Sequence, residues 1–563
     1  MKEDLSGIFQ PEAKTIMKIF GDADSYYQIP DYQRPYRWND EQIEELWDDI
    51  YSAMQSNDES YFLGPMILIR TKNGYFEVVD GQQRITTLTI LFCVLRDLHF
   101  KKDNRILNAI RSLVDQKYRL RLITQSHYQN QFEQEILNGI TFPQNKFSKK
   151  QREENKFINA ALIFRDKLKA IEDKDEQIVE LVDYLLNKVI MITITCSKQS
   201  FAIKLFQVLN TRGLDLTNTD LIKSYLYGGL DTKIKEQQFN STWREMETIS
   251  NQIEEDLEDL FTYYEYYLLA RNPKHSLYDE LTNTNWFKEK DPNKAIYHVK
   301  TFIDNFSKIS QLESKLIFSF WYLPNQVFWK SILTTAKMRD FDDFEGLCKE
   351  LRKFYYCYWI AGYTTSKIKQ LSFNLIGWIK EEKRLDEIKK EIDGKMTEDN
   401  VFKWMKENLQ NDAYGNSWLK PLLALIEYEQ TDNSKLSFIG LDRKLHADHI
   451  LPEKWFKNEE WKEMWTEEQA EKWLHKIGNL TLLSGKKNIA QHNDPPSKKA
   501  EIYEKGHGGT TAFEISKRII KILETGTWTE DDVKDRQKWI IGQVEKILGL
   551  NINGGTAHAY NTV

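Results

Sequence analysis

"YFEVVDGQQRITTLTIL", residues 75–91, is an apolar, β-branched run that stops at Asp80-Gly81-Gln82-Gln83-Arg84 and resumes with Thr86, Thr87, Leu88, Ile90 and Leu91. The part before the break has the composition of a strand, and "ITTLTILFCVLRDLHF" (85–100) after it reads as a helix. A strand that feeds a helix through a glycine leaves backbone N–H groups free to meet an anion. Upstream, "YFLGPMILIR" (61–70) and the turn "KNG" (72–74) supply a second strand and its connection. Residues 61–100 therefore read strand, turn, strand, polar junction, helix, which is α/β in character.

Further along, "NKVIMITITCS" (187–197) reads as another buried strand and "SFAIKLFQVL" (200–209) as a helix that meets Asn210-Thr211-Arg212-Gly213. "LTNTDLIKSYLYG" (216–228) restarts a helix with Thr217 or Asn218 as its cap. The lysine-rich "FPQNKFSKKQREENKF" (142–157) is a loop or exposed helix start, best read as a solvated charge run. From 233 to 415 helical periodicity dominates. The aromatic clusters "LFTYYEYYLL" (260–269) and "FYYCYWIAGY" (354–363) there read as core rather than base-stacking platforms.

A chain of 563 residues exceeds one ordinary core. The expected division is 1–232, 233–415, 416–550 and a mobile tail over 551–563. With a formal charge of −7 and a pI near 5.9, the chain is no basic nucleic-acid coat, so contacts to DNA or RNA must come from local patches. The four cysteines lie far apart with no C-x-x-C pair, which indicates neither a zinc ribbon nor a disulfide framework. The N-terminus carries acids where a signal peptide is basic, and no apolar run approaches the ~20 residues of a membrane span. A cytoplasmic protein with no membrane partner is expected.

Five of the ten histidines fall between His446 and His507, in a segment that also carries Lys486, Lys487, Lys498 and Lys499. "KLHADHILPEKW" (444–455) sets Asp448 and His449 side by side in an extended run, so their side chains point to opposite faces. "IGNLTLLSGKKNIAQHN" (477–493) then gives a second short strand, a turn at Gly485, and a helix with Asn488 and His492 on one face. Strand, strand, helix with these residues is the ββα-metal arrangement. An imidazole can take a proton from water near neutral pH, and a hard divalent cation on oxygen ligands can stabilise charge on a phosphate. His449 is the expected general base, Asp448 and Asn488 are the expected metal ligands, and His492 is a weaker candidate ligand. Asn479, grouped with the catalytic residues, is expected to hold the His449 loop by backbone hydrogen bonds. His446, His475 and His507 are read as surface or structural.

On "HILPEKW" and "IGNLTLLSGKKN", residues 441–503 resemble the HNH endonuclease domain of GmrSD-type, modification-dependent (type IV) restriction enzymes. Lys499 and Tyr503 match that domain's later Lys-x-x-x-Tyr. The zinc-binding cysteine pairs of many HNH proteins are missing, so no structural zinc is expected. At the other end "IPDYQRPYRWND" (29–40), "VVDGQQRITTL" (78–88) and "LFQVLNTRGLDLTNTDLIK" (205–223) resemble the partner domain of the same enzymes, a fold similar to ParB and sulfiredoxin. The resemblance implies nucleotide binding and hydrolysis there, with control of the nuclease.

The residues agree with phosphate chemistry at that junction. Arg84 can grip a phosphate while the N–H groups of Gly81, Gln82 and Gln83 approach it. Asp80 can hold magnesium, Arg34 and Arg37 can add phosphate contacts, and Asn210, Arg212 and Asp220 can close the pocket. The bland alternative is a plain helix-start ion pair between Asp80 and Arg84.

The sequence thus points to a multidomain α+β protein: a ParB/sulfiredoxin-like α/β domain, a helical middle and a ββα-metal (HNH) nuclease. The expected activity is anti-phage cutting of DNA, in modified form, using Mg2+ or Mn2+ and regulated by a nucleoside triphosphate. Lys486, Lys487 and Lys499 are the expected DNA contacts, and a homodimer is an open option. An RNA-cleaving toxin, or a nucleotide-gated DNA-binding protein with an inactive HNH domain, remain the alternatives.

Overall fold

The computed structural model describes residues 9–71, 73–101, 103–114, 116–142, 148–171, 175–197, 201–202, 205, 217–431, 436–441, 445–484, 493–505 and 513–550. The chain gathers into two compact units, residues 1–243 with 281–296 and residues 244–280 with 297–563.

The first unit is built on a mixed six-stranded sheet. Its order is β1 (Phe9–Thr15), β8 (Val189–Cys196), β3 (Tyr61–Arg70), β4 (Phe76–Asp80), β2 (Tyr27–Gln28) and β7 (Leu122–Ile123), while β5 (Arg111–Val114) and β6 (Lys117–Leu120) form a separate hairpin. The central strands are the ones with the densest apolar runs, and Met66, Ile67, Leu68, Val78 and Val79 are buried. Strand β2 runs parallel to both β4 and β7, so all three end at the same edge of the sheet. Strand β3 runs antiparallel to β4 and therefore starts there.

At that edge Gly81 takes a left-handed backbone, φ +90°, immediately before the helix Gln82–Leu98. A Cβ at Gly81 would lie 3.1 Å from Cγ of Met66, so both the turn and the close approach favour glycine. Gln82, Gln83 and Arg84 form the first turn of this helix. Its residues from Ile85 to Leu95 are buried on all faces, and Thr86, Thr87 and Thr89 donate their hydroxyls to carbonyls four residues back. The helix Asn218–Tyr227 starts at Thr217, whose hydroxyl accepts the Asp220 N–H while the Asp220 carboxylate accepts the Thr217 N–H, each at 3.2 Å.

Among the described residues the second unit is helical apart from one ribbon. The aromatic clusters are core: Phe261, Tyr263, Tyr264, Phe354, Tyr355, Tyr356 and Tyr358 are all buried. The hydroxyls of the last three find partners in Ser372, the carbonyl of Ser319 and the carboxylate of Asp399. The ribbon pairs β9 (Leu445–His449) antiparallel to β10 (Leu480–Ser484), with His449 opposite Leu480 and Asp448 opposite Thr481. Two strands alone are marginal in water. Here side chains bond carbonyls of β10: Arg536 donates to Leu480 O at 3.1 Å and Ser516 donates to Leu482 O at 2.9 Å.

The multidomain α+β class read from the sequence is the class observed. Among the described residues no helix is long and apolar enough to cross a membrane.

Glu265, 3% exposed in the helix Leu257–Leu269, has a buried Oε1 without a partner. Burial, and then the neighbouring Glu280, push its carboxyl up to about 7. The unfolded chain releases this proton near the ordinary value and the folded chain only near 7, so this group makes stability fall as pH rises across that window. Glu265→Gln is expected to stabilise the protein by ~1–3 kcal/mol at pH 8, and to leave it nearly unchanged at pH 4.5. Denaturant melts at the two values check this.

Candidate functional site

The end of β9 is fixed by one buried side chain. Asn479 is 0% exposed in the 3-10 turn Ile477–Asn479 that leads into β10. Its Oδ1 accepts from the Leu451 N–H at 2.8 Å and from Trp528 Nε1 at 3.0 Å. Its Nδ2 donates to Leu451 O at 3.2 Å and Leu474 O at 2.9 Å. The Asn479 carbonyl also accepts the Ile450 N–H at 2.9 Å. The residues just after His449 are therefore held against the segment that carries His475. A side chain at Gly478 would run into the carbonyl of Val533, so the turn sits tight against the helix Glu530–Leu548.

As strand geometry requires, Asp448 and His449 address different neighbours. Asp448 Oδ2 accepts from the Tyr503 hydroxyl at 2.9 Å and lies 3.5 Å from Lys499 Nζ. Lys499 is 1% exposed, and its ammonium donates to the His449 carbonyl at 2.5 Å. Burial pushes the Lys499 ammonium down, and Asp448 pulls it back up. Lys499 is thus an internal cation, and the expectation that it contacts DNA is corrected by its burial. Its helical neighbour Tyr503, four residues on, serves the same carboxylate.

His449 is buried, and its Nε2 lies 3.1 Å from His475 Nδ1. Its Nδ1 is 3.9 Å from Oε1 of Glu453. The ring of Tyr414 covers both imidazoles, 4.2 Å from that of His449 and stacked 5.6 Å from that of His475. The backbone of 413–414 is itself tied to the His475 carbonyl, which accepts from Ala413 N and Tyr414 N. Burial pushes the His449 imidazole down to about 3, and His475 and Lys499 push the same way. The ring is neutral throughout the cellular pH range.

His475, Tyr414 and Glu453 are the residues that sequence reasoning missed. His475 stands apart from the histidine motif, and the sequence reads it as surface or structural. The only signal for it is its place a few residues before "IGN", on the segment that Asn479 grips. Asn488, His492, Lys486 and Lys487 lie outside the described residues, as does the expected start of the third ββα element. The helix that follows, Pro496–Lys505, carries Lys499 and Tyr503.

In the first unit, the loop that leaves β2 is strapped down by glutamines. Gln33 donates to Val79 O at 3.0 Å, and Gln125 donates to Arg34 O at 2.8 Å. Gln83 accepts from the Arg37 N–H at 2.8 Å and donates to Pro35 O at 3.1 Å, so one amide grips both sides of Tyr36. The Tyr36 hydroxyl is 2.8 Å from that of Thr87, and its ring stacks on Phe157. Tyr32 packs against Tyr227, bringing the helix of Asp220 to the loop.

Arg84 is ion-paired to Asp80 at 3.3 Å and donates to the Leu63 carbonyl at 3.0 Å, an internal role where a phosphate fork had been expected. Burial pushes the Asp80 carboxyl up, countered by Arg84 and Arg34. Burial pushes the Arg34 guanidinium down, with Asp220 opposing. Arg34 Nε is a buried donor and Gln82 Oε1 a buried acceptor, and among the described residues neither has a hydrogen-bond partner. Arg37 is exposed beside them. The structure thus brings together Arg34, Arg37, Asp80, Gly81, Gln82, Gln83, Arg84 and Asp220; Asn210 and Arg212 lie outside the described residues.

Residues 16–227 match the family model for the N-terminal domain of GmrSD restriction endonuclease, and residues 396–543 match the model for the C-terminal domain of GmrSD restriction endonucleases. Together the two matches span well over half of the chain, and each contains one of the two clusters. No curated protein matches the chain.

Removing the Asn479 amide strands the Leu451 N–H and the Trp528 indole N–H in the interior. Asn479→Ala is therefore expected to cost ~2–4 kcal/mol in a denaturant melt. At the other cluster, Gln83→Ala is expected to speed amide hydrogen exchange at Arg37 without a comparable loss of global stability, since that site is near the surface.

Proposed function

The chain belongs to the GmrSD restriction endonuclease family, and from that premise we propose that it cuts modified phage DNA at a metal-dependent HNH site centred on His449, controlled by a nucleoside triphosphate held at residues 80–84. The coarser part needs no proposal: it is a DNA endonuclease of restriction, acting in phage defence. The observation that carries the finer reading is a neutral, buried imidazole fixed at the end of β9 beside a carboxylate, in a ribbon whose register Asn479 locks.

The chemistry follows from which atoms are engaged. His449 Nε2 and His475 Nδ1 are 3.1 Å apart; in the tautomer in which Nε2 is the donor, the lone pair of His449 Nδ1 is left to receive a proton from water. His475 is thus a positioning residue that selects the tautomer a base needs. Tyr414 limits rotation of the ring. An arriving phosphate anion raises the affinity of the imidazole for a proton, moving it from its depressed resting value toward the working range.

Tyr503 and Lys499 both meet Oδ2 of Asp448, so that, among the described residues, Oδ1 is the atom left for a cation. A hard divalent ion fits that donor, with Asn488 and His492 to complete the set. When bound it supplies charge neutralisation at the phosphate and the leaving oxygen.

At the other cluster, an orphaned donor on Arg34 and an orphaned acceptor on Gln82 stand beside exposed Arg37, at the start of a long helix. A nucleotide offers both partners: phosphate oxygens for the guanidinium groups and a base or ribose donor for the glutamine. Asp80 supplies a carboxylate for the magnesium that accompanies a triphosphate.

Purified protein should be given matched unmodified and modified phage DNA with Mg2+ or Mn2+, with and without a nucleoside triphosphate. His449→Ala is expected to lose ~10²–10⁴-fold in cleavage rate, and Arg34→Ala to lose nucleotide binding and the nucleotide response. Equal cutting of both DNAs refutes the modification reading. A rate insensitive to nucleotide refutes the control reading, and full activity in His449→Ala refutes the site.

A further inference from the structure

We propose that His449, Glu453 and His475 form a transition-metal site, suited to Zn2+, and that its occupation silences the nuclease by taking His449 out of use as a base. This site is distinct from the oxygen-ligand site of Asp448. One ligand atom from each of the three side chains can be chosen so that all lie within 4.8 Å of one another. His449 Nε2 and His475 Nδ1 are 3.1 Å apart. Two ligands on a tetrahedral ion with bonds of about 2.0–2.1 Å are separated by about 3.3 Å. The two nitrogens are therefore already spaced much as two ligands on one ion are.

The donor chemistry selects the metal. Two imidazoles and one carboxylate suit zinc and its neighbours, whereas magnesium prefers oxygen donors throughout. The ligands are also held in place beforehand. The Asn479 clamp on Leu451 fixes the start of the loop to Glu453, the bonds from 413–414 fix the backbone of His475, and Tyr414 packs on both rings. The Glu453 side chain is 55% exposed, so solvent and an ion can reach the group.

Silencing follows from the imidazole itself. A neutral ring carries one proton. With zinc on Nε2 of His449 that proton must move to Nδ1, the nitrogen that has to be bare to accept a proton from water. No proton is gained or lost by the ring; it changes tautomer. The consequence rests on the assignment of His449 as base, whereas the binding does not.

The full-length chain, stripped with EDTA and returned to excess Mg2+, should be titrated with Zn2+ by calorimetry or against a chromophoric chelator. One ion per chain is expected. Binding should weaken roughly tenfold or more in Glu453→Gln and in His475→Ala. Zinc should inhibit cleavage by the wild type, whereas in Glu453→Gln half-inhibition, measured against that variant's own zinc-free rate, should need at least roughly tenfold more zinc. No zinc binding, or binding unchanged in both variants, overturns the site. Inhibition as strong in Glu453→Gln as in wild type overturns the silencing. Zinc binding in a protein whose cleavage ignores His449 would refute the base and leave the metal site standing.

Discussion

One buried amide governs the geometry of the C-terminal site. Both polar atoms of Asn479 are used twice, and three of its four partners lie on the segments that flank the cluster, at Leu451 and Leu474. The fourth, the Trp528 indole, belongs to the hydrophobic cluster beneath. A fully satisfied buried amide is rigid because any shift strands a donor or acceptor without water to replace it. The loop after His449 and the turn before His475 therefore cannot drift apart, and the imidazole pair inherits its spacing from a residue that touches neither ring.

The charged residues follow a second rule, which both clusters share. Each strand that leads into a cluster carries an aspartate at its end, Asp80 last on β4 and Asp448 next to last on β9, and each is met from a neighbouring helix by a basic side chain whose other hydrogen bond goes to a backbone carbonyl. Arg84 spans Asp80 and the Leu63 carbonyl; Lys499 spans Asp448 and the His449 carbonyl. A buried cation left without its partner is strongly destabilising, whereas a paired one adds definition more than stability. These bases brace the carboxylates and the chain ends that carry them. Arg34 and Arg37 are placed differently: their loop is anchored through its backbone by Gln33, Gln83 and Gln125, so their side chains take no part in that task.

Much of this was legible in the sequence where a periodicity or a cap carries it. The strands at 61–70, 76–80, 189–196 and 480–484, the cap at Thr217 and the buried aromatic clusters follow from local pattern. The loop-holding role of Asn479 was legible because a neutral amide between a turn and a strand is suited to backbone bonds. The polar break at 80–84 reads as a junction between strand and helix, and the glutamines in it are already the helix's first turn, since Gly81 alone makes the reversal. Tyr414, Glu453 and His475 were not legible: they come from separate segments, and only the tertiary packing around Asn479 joins them. Lys499 misled for a related reason. A lysine in a basic segment is normally exposed, and nothing local announces that Asp448 waits for it fifty residues upstream.

The central claim is that the His449 imidazole itself takes the proton from water. Its most direct test is chemical rescue: cleavage of DNA by His449→Gly in Mg2+, followed as free imidazole is added to the buffer. The account predicts an inactive protein whose cleavage returns in proportion to the neutral imidazole present. His449→Gly that cuts as fast as wild type with no imidazole added would contradict it.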